Sequence, residues 1–406
     1  MSARGLCAIR SMPLRGSAGW RLLALLLFLA SPLCGARELV IGLLRQADDQ
    51  RYDARVVAKA YADAPGGRAQ QAAQMALEDA EFALQSAGYS GARLAPVEAP
   101  DAAGLTAALE ALLKLGVKHV VLELPAAGVV QVTAAARGRD VLLVNAAAPE
   151  DVLRAASCAP NLLHTLPSHA MQADALAQML VSRKWNKLLV LYGPHPQDQL
   201  LRNAFARSAK RFGLKPVAER PFVLSNDPRQ REQGNVRLLT AGLEYDVVLV
   251  LDADGEFARD VPYRTVLPRP VLGASGLSAQ AWSGWYERNG APQLNHRFFK
   301  RSGRVMGSYD WAAWIATRAL VEAATQDPKA GVVQQLKALK QGTLALDGYK
   351  GQGLSFRAWD GQLRQPLFLV QANGLAEVAP VEGFLHPRST LDTLGFDVSE
   401  TGCKTP

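Results

Sequence analysis

Two aspartates one residue apart, Asp252-Ala253-Asp254, follow the apolar run VVLVL and precede Gly255. A strand ending this way can do phosphoryl chemistry: one carboxylate attacks, the other acts as general acid, and both serve Mg²⁺. Here Glu256 stands where that chemistry takes Thr or Val, and no downstream acidic pair completes the set. The two aspartates then read as a loop or helix-start device, or as ligand contacts. Gly273-Ala274-Ser275-Gly276 lacks the spacing of a nucleophile elbow. Phosphate-loop, zinc-protease and dinucleotide motifs are absent from the sequence. His164 and His169 lie five apart across a loop, a poor spacing for a metal and one that fits structural histidines. Trp282, Trp285 and Tyr286 fall in a stretch read as a helix, Ser278 to Arg288, where they can stack on a ligand or fill a core. The sequence therefore predicts a protein that is not an enzyme, with no cofactor and no metal.

Residues 1–36 read as an export signal. Arg4, Arg10, Arg15 and Arg21 precede the nine-residue apolar run Leu22 to Ala30, too short to span a bilayer, and small residues end at Ala36. Cys34 as a lipidation site is disfavoured by Leu33 beside it. Without those four arginines the net charge falls from +8 to +4. That balance, spread along the chain, does not predict a nucleic-acid partner. Outside the signal only Cys158 and Cys403 remain, and in an oxidising compartment they are expected to form one disulfide, the alternative being two free thiols.

The elements that must position any site alternate regularly. Strands are expected at Leu39 to Leu44, Ala92 to Val97, Val117 to Leu124 and Val141 to Asn145. Helices are expected between them at Gly67 to Ala87, Ala102 to Leu115 and Ala126 to Arg137. After a short run at Asn161 to Leu166 the pattern restarts. The second series has helices at Ser168 to Arg183, Gln197 to Phe212 and Arg229 to Gly242. Its strands are Lys187 to Tyr192, Lys215 to Arg220, Asp246 to Leu251 and Val271 to Gly273. Helices at Tyr309 to Ala324 and Gly331 to Lys340 and a hairpin of Gly353 to Phe356 with Gln365 to Gln371 close the chain. Nearly continuous apolar strands alternating with helices predict parallel sheets with right-handed crossovers, an α/β fold. The stretch Val141 to Gly193, where one series stops and another starts, marks the passage between two lobes.

FFKRSGRVMGSYDWAAWIATRALVEA and LDGYKGQGLSFRAWDGQLRQPLFLV resemble segments of the type I periplasmic binding proteins of ABC transporters, the branched-chain amino-acid type. The resemblance covers nearly all of residues 37–380. The tail HPRSTLDTLGFDVSETGC and CAPNLLHTLPS resemble, more narrowly, binding proteins associated with pyrroloquinoline quinone (PQQ)-dependent alcohol dehydrogenase systems. The resemblance implies two Rossmann-like lobes with parallel sheets, joined by a three-strand hinge that closes on a small-molecule ligand. The lobes are expected at 37–160 with 278–325 and at 161–277 with 326–380, followed by a tail at 381–406. It also implies a periplasmic monomer that meets ABC transporter membrane subunits, or a periplasmic sensor that moves nothing.

Ligands of parallel sheets sit beyond the carboxyl ends of the strands. Those positions are Arg45, Gln46, Pro125, Ala126, Asn145, Ala146 and Ala147 in the first lobe, and Tyr192, Asp252 and Asp254 in the second. Tyr309 joins them at the start of its helix. Amino-acid binders of the family present Ser or Thr hydroxyls after the first-lobe strands, whereas this chain reads PAAG and NAAAP. The alanines predict either an apolar wall for an aromatic or hydroxylated ligand, or close packing of the lobes.

Overall fold

The computed structural model describes residues 37–59 and 64–403, and the expected signal peptide lies outside them. The chain begins with β1 (Arg37–Gln46), α1 (Ala54–Ala58), α2 (Gln70–Glu78), α3 (Glu81–Ser86), β2 (Tyr89–Ala99) and α4 (Leu105–Lys114). It continues with β3 (His119–Glu123), α5 (Ala126–Ala135), β4 (Leu142–Asn145) and β5 (Leu162–His164). The strands form one sheet in the order β2-β1-β3-β4-β5, with β1, β3, β4 and β5 parallel. Every residue of β3 and β4 is buried, as expected of strands covered on both faces. Gly116 closes α4 with φ +75°, and its amide and that of Val117 return to the Leu113 and Leu112 carbonyls.

The second series comprises α6 (His169–Ser182), β6 (Leu188–Tyr192), α7 (Pro196–Arg211), β7 (Pro216–Pro221), α8 (Val236–Thr240), β8 (Val247–Leu251), α9 (Val261–Arg264) and β9 (Val271–Gly273). These strands pair in parallel in the order β7-β6-β8-β9. Ser168 caps α6, its hydroxyl accepting the Met171 amide at 3.2 Å.

The chain then forms β10 (Ser278–Gln280), α10 (Ala291–Ser302), α11 (Ser308–Gln326), α12 (Val332–Gln341), β11 (Leu346–Asp347), β12 (Gly353–Phe356) and β13 (Leu363–Arg364). It ends with β14 (Leu367–Gln371) and β15 (Gly374–Ala379). Fourteen of the nineteen residues of α11 are buried. Its alanines let it lie close on α2, and Trp311 stacks on Trp282 with ring centroids 6.0 Å apart. Residues of α12, β11, β12 and β13 share this first-lobe core, and β13 reaches β5 through a bridge from Gln362 to His164. Strands β10, β14 and β15 pack on α6 of the second lobe, while Phe368 and Val370 of β14 face the first-lobe core. The chain therefore passes between lobes after β5, after β10 and between β13 and β14.

Four local expectations change. The helix expected over Gly67 to Ala87 breaks in two at Asp79 and Ala80, where the Asp79 carboxylate accepts from Trp314 Nε1 and Arg297. Arg229 to Gly242 is a 3₁₀ stretch followed by α8, since the Asn235 side chain caps a fresh helix start. Ser278 to Arg288 is not a helix: its first three residues pair antiparallel with β14 and the rest turns. Trp282 and Tyr286 are consequently buried against Phe368, while Trp285 is half exposed. Finally, residues 326–364, assigned by sequence to the second lobe, pack into the first-lobe core.

Cys158 and Cys403 form a disulfide, with Cα atoms 5.5 Å apart. In the same C-terminal segment, buried Asp392 accepts from Arg357 Nε at 2.9 Å and Arg364 Nε at 2.8 Å. Removing one partner of a buried ion pair leaves an uncompensated charge. Asp392→Ala is therefore expected to lower the unfolding free energy by about 3–5 kcal/mol in a denaturant titration; a loss below 1 kcal/mol would show that the two arginines find other partners.

Candidate functional site

A cavity of about 290 Å³ opens between the lobes. This is near the lower end of the ~300–1,000 Å³ range of ligand pockets. The second lobe supplies most of its wall. Helix α6 contributes Gln172 and Leu176, α7 contributes Leu201 and Phe205, and the end of β8 contributes Leu251 through Gly255. The first lobe faces it with Arg51, Lys59, Pro149, Glu150, Ser308 and Tyr309. At the mouth, Lys59 approaches Glu256 of the opposite lobe at 3.9 Å.

The acidic end is built from two loops. Gly193 has no side chain, and a Cβ there would lie 2.2 Å from Asp198 Oδ2. Asp198 thus fits under the β6 loop and accepts the His195 amide at 3.0 Å and the Ala253 amide at 2.7 Å, tying the β6 and β8 ends together. Asp252 accepts the Ala258 amide at 2.8 Å. Burial pushes the Asp252 carboxyl up to about 7; Asp254 and Asp198 add to the shift and the Ala258 amide opposes it. Among the described residues no group of His, Cys, Asp and Glu is arranged to hold a metal ion.

On the facing side, Tyr309 is positioned by its neighbour. Arg304 holds Asp310 with two contacts of 2.6 Å, and Asp310 accepts the Gly307 amide at 3.0 Å, which fixes the start of α11. Arg51 is clamped by Asp49 at 3.0 and 2.7 Å and donates to the Ala147 carbonyl. Burial is the largest influence and opposes its charge, but the Asp49 contact together with the fields of Tyr52, Tyr309 and Asp49 raises its pKa above the ordinary arginine value. Glu150 Oε2 and His169 Nδ1, both on lining residues, are buried without a hydrogen-bond partner.

Of the residues expected from strand ends, Asp252, Asp254 and Tyr309 line the cavity. The others have different surroundings. Arg45 pairs with Glu98 at 2.8 Å and Gln70 at 2.9 Å. Gln46 bonds Asp48, and its carbonyl receives Arg68 at 2.6 Å. Pro125 and Ala126 start α5. Asn145 is wholly buried: its Oδ1 accepts the Ala147 and Ala148 amides, and its Nδ2 meets the Ala148 carbonyl and His164 Nδ1. Ala146 and Ala147 are core residues. Tyr192 lies under the Arg202 guanidinium at 4.0 Å.

One segment explains most of this. Residues 47–59 and 64–69 fold back over the first-lobe strand ends. Arg51 takes the Ala147 carbonyl, Arg68 takes that of Gln46, and Glu123 at the end of β3 receives the Ala69 amide. The segment replaces the strand ends as the first-lobe wall and contributes Arg51, Val56, Lys59, Ala64 and Pro65. Its length was the available signal, because long loops without regular structure are commonly functional. His169, read from its spacing as structural, also reaches the cavity.

A raised Asp252 binds its proton in the folded state after the unfolded chain, with an ordinary aspartate pKa of about 3.9, has released it. Stability from this group should fall as pH rises from about 4 to about 7 and then level off. Asp252→Asn should therefore raise Tm relative to wild type more at pH 8 than at pH 4.5. An equal difference at both pH values would contradict the raised carboxyl.

Comparison with known proteins supports this architecture. Residues 60–229 match the family model described as periplasmic binding protein. No curated protein matches the chain. Among solved structures, a leucine-, isoleucine-, valine-, threonine- and alanine-binding protein from Brucella ovis, in its closed conformation, superposes with a TM-score of 0.68 at 16% identity. That match covers 91% of this chain and 100% of the other. A branched-chain amino-acid ABC transporter periplasmic ligand-binding protein from Burkholderia xenovorans gives 0.68 at 13% identity, over 90% of this chain and 99% of that one. A solute-binding protein of an ABC transporter from Rhodopseudomonas palustris, in complex with 3,4-dihydroxybenzoic acid, gives 0.58 at 11% identity, over 84% of this chain and 94% of the other. The described residues thus have the two-lobed fold of the type I periplasmic binding proteins, and the stretch 60–229 matches the family model described as periplasmic binding protein.

Proposed function

We propose that this chain is an exported solute-binding protein of an ABC transporter, working in the periplasm as a monomer and without catalysis. The observation that carries the reading is the cavity itself. It lies between two parallel α/β lobes, at the carboxyl end of β8, with Tyr309 and Arg51 on one side and Asp252 and Asp254 on the other. The two lobes close on a solute, and the closed form is what the transporter's membrane subunits receive. A signal peptide at residues 1–36 accounts for export. Among the described residues no helix is long and apolar enough to cross a membrane.

The solute class follows from the wall. Leu176, Leu201, Phe205 and Leu251 suit an apolar or aromatic body. Asp252 and Asp254 suit a donor such as a hydroxyl or an amine, and Arg51 and Tyr309 suit a polar group at the opposite end. Similar proteins are described with branched-chain amino acids and with a dihydroxybenzoate, and both ligands fit this pattern of apolar body and polar ends. We assign the solute to PQQ-dependent alcohol oxidation on the strength of the tail and the CAPNLLHTLPS segment, which the Cys158–Cys403 bridge joins in space.

A thermal-shift screen tests the reading. The panel is leucine, phenylalanine, 3,4-dihydroxybenzoate, short alcohols and aldehydes, and PQQ. At a concentration 100 times Kd, a bound solute stabilises by about 2.7 kcal/mol, a shift of several degrees. At least one solute is expected to raise Tm without being converted. Mg²⁺-dependent phosphatase activity lost in Asp252→Ala would overturn the reading in favour of aspartate chemistry.

A further inference from the structure

The C-terminal segment after β15 does not lie on one lobe. Buried Asp392 is held by Arg357 and Arg364, which flank the β12–β13 turn on the first-lobe side. Arg357 also donates to the carbonyls of Leu391 at 3.2 Å and Phe396 at 3.4 Å. Three residues after Asp392, the chain is on the second lobe. The Gly395 amide donates to Asp174 of α6 at 2.7 Å, and the Gly395 carbonyl receives Arg207 and Arg211 of α7 at 2.8 and 2.7 Å. Arg207 also holds Glu400 at 2.8 Å. The Leu394 side chain is fully buried in the second-lobe core. The chain then returns to the passage between lobes: Thr401 Oγ1 donates to the Arg154 carbonyl at 2.8 Å, and Cys403 is bonded to Cys158.

We infer that residues 392–403 are a strap that crosses from the first lobe to the second and back, and that the Cys158–Cys403 bond locks it across the hinge. Its function is to limit how far the lobes separate. The anchors are unlike those of a tail that merely covers surface. Asp174 and Asp392 are both buried and each meets two arginines, so neither contact is released without exposing or stranding charge. The first-lobe anchor of the strap, Arg357, belongs to the turn that meets the strands that must bend. Gln362, in the turn that Arg357 supports, contacts the carbonyls of His164 and Leu166 at 3.3 and 3.2 Å. Gln365, next in line, takes the Thr165 carbonyl at 2.7 Å. With the bridge intact, the open state keeps the lobes near the solute-competent geometry; without it, they separate more widely and more often.

This inference rests on the lobes moving as the proposed function requires, yet its test uses no solute, so the two can fail separately. The Cys158→Ser/Cys403→Ser double variant and the wild-type chain treated with dithiothreitol are compared with the oxidised wild type by amide hydrogen exchange. Folding of each is checked by circular dichroism. Exchange at residues 162–168, 278–282 and 363–371 is expected to accelerate at least threefold in both forms that lack the bridge, with the cores of β3 and β8 unchanged. Acceleration confined to residues 389–403, or equal acceleration throughout the chain, would overturn the strap. Should the double variant fail to fold, the dithiothreitol-treated wild type decides between the same outcomes.

Discussion

A buried guanidinium has to be paired on every side, and Arg154 meets that demand with groups from three different segments. It is 1% exposed. It donates to the Ala148 carbonyl at 2.7 Å, just beyond β4, to the Leu166 carbonyl at 2.9 Å, just beyond β5, and to the Gln362 side chain at 2.9 Å, in the β12–β13 turn. Burial lowers its pKa to about 10, against the pull of Asp151, Asp360 and Glu150, which leaves it charged at neutral pH. Leaving any of those partners behind would strand a charge in the interior. One side chain therefore fixes the relative placement of two of the three passages between the lobes. The lining residues Pro149, Glu150, Leu166 and Pro167 lie within two residues of its backbone contacts. The cavity exists in this form because the passages are held in this form.

The second constraint is local to the first lobe. In a parallel sheet the carboxyl ends of the strands are the natural ligand platform, and here the chain covers that platform itself. Arg51, Arg68 and Ala69 satisfy the backbone and carboxylate groups at the ends of β1, β3 and β4. The alanines of the NAAAP loop do not form an apolar ligand wall. They are core residues, and their close packing lets the covering segment approach. The polar groups of the cavity wall are Arg51 and Tyr309 on one side and the aspartates after β8 on the other. A lining that is mostly aliphatic and aromatic in the second lobe then suits a solute with an apolar body.

The architecture was legible because strands buried on both faces leave near-continuous apolar runs such as VVLVL and VLLVN, and helices between them leave three- and four-residue spacing. The Cys158–Cys403 bond was legible because only two cysteines remain outside residues 1–36. Tyr309 was legible from the Tyr-Asp pair, but Arg304, which orients that pair, was not, because nothing in the spacing announces a six-residue ion pair. Helix α10 went unseen because only Ala291, Leu294 and Phe298 of its twelve residues are buried, too sparse a pattern to register. The Trp282 region misled because aromatics at helical spacing are equally at home in a turn pinned by a strand pair. The expected first-lobe strand-end positions do not line the cavity, for a tertiary reason. The sequence locates strand ends, but it does not say whether another stretch of the same chain will sit on them.

The central claim is that a small molecule occupies the space between Tyr309 and the β8 loop. Ala253 lies there, exposed, with its side chain free of the core. The most direct measurement is calorimetric titration of wild type and Ala253→Trp with the solute that most stabilises the wild-type chain. The account predicts one-to-one binding to wild type and at least a tenfold weaker affinity in the variant, with the fold intact. Equal affinity in the two proteins would contradict it, because the solute would then be bound somewhere else.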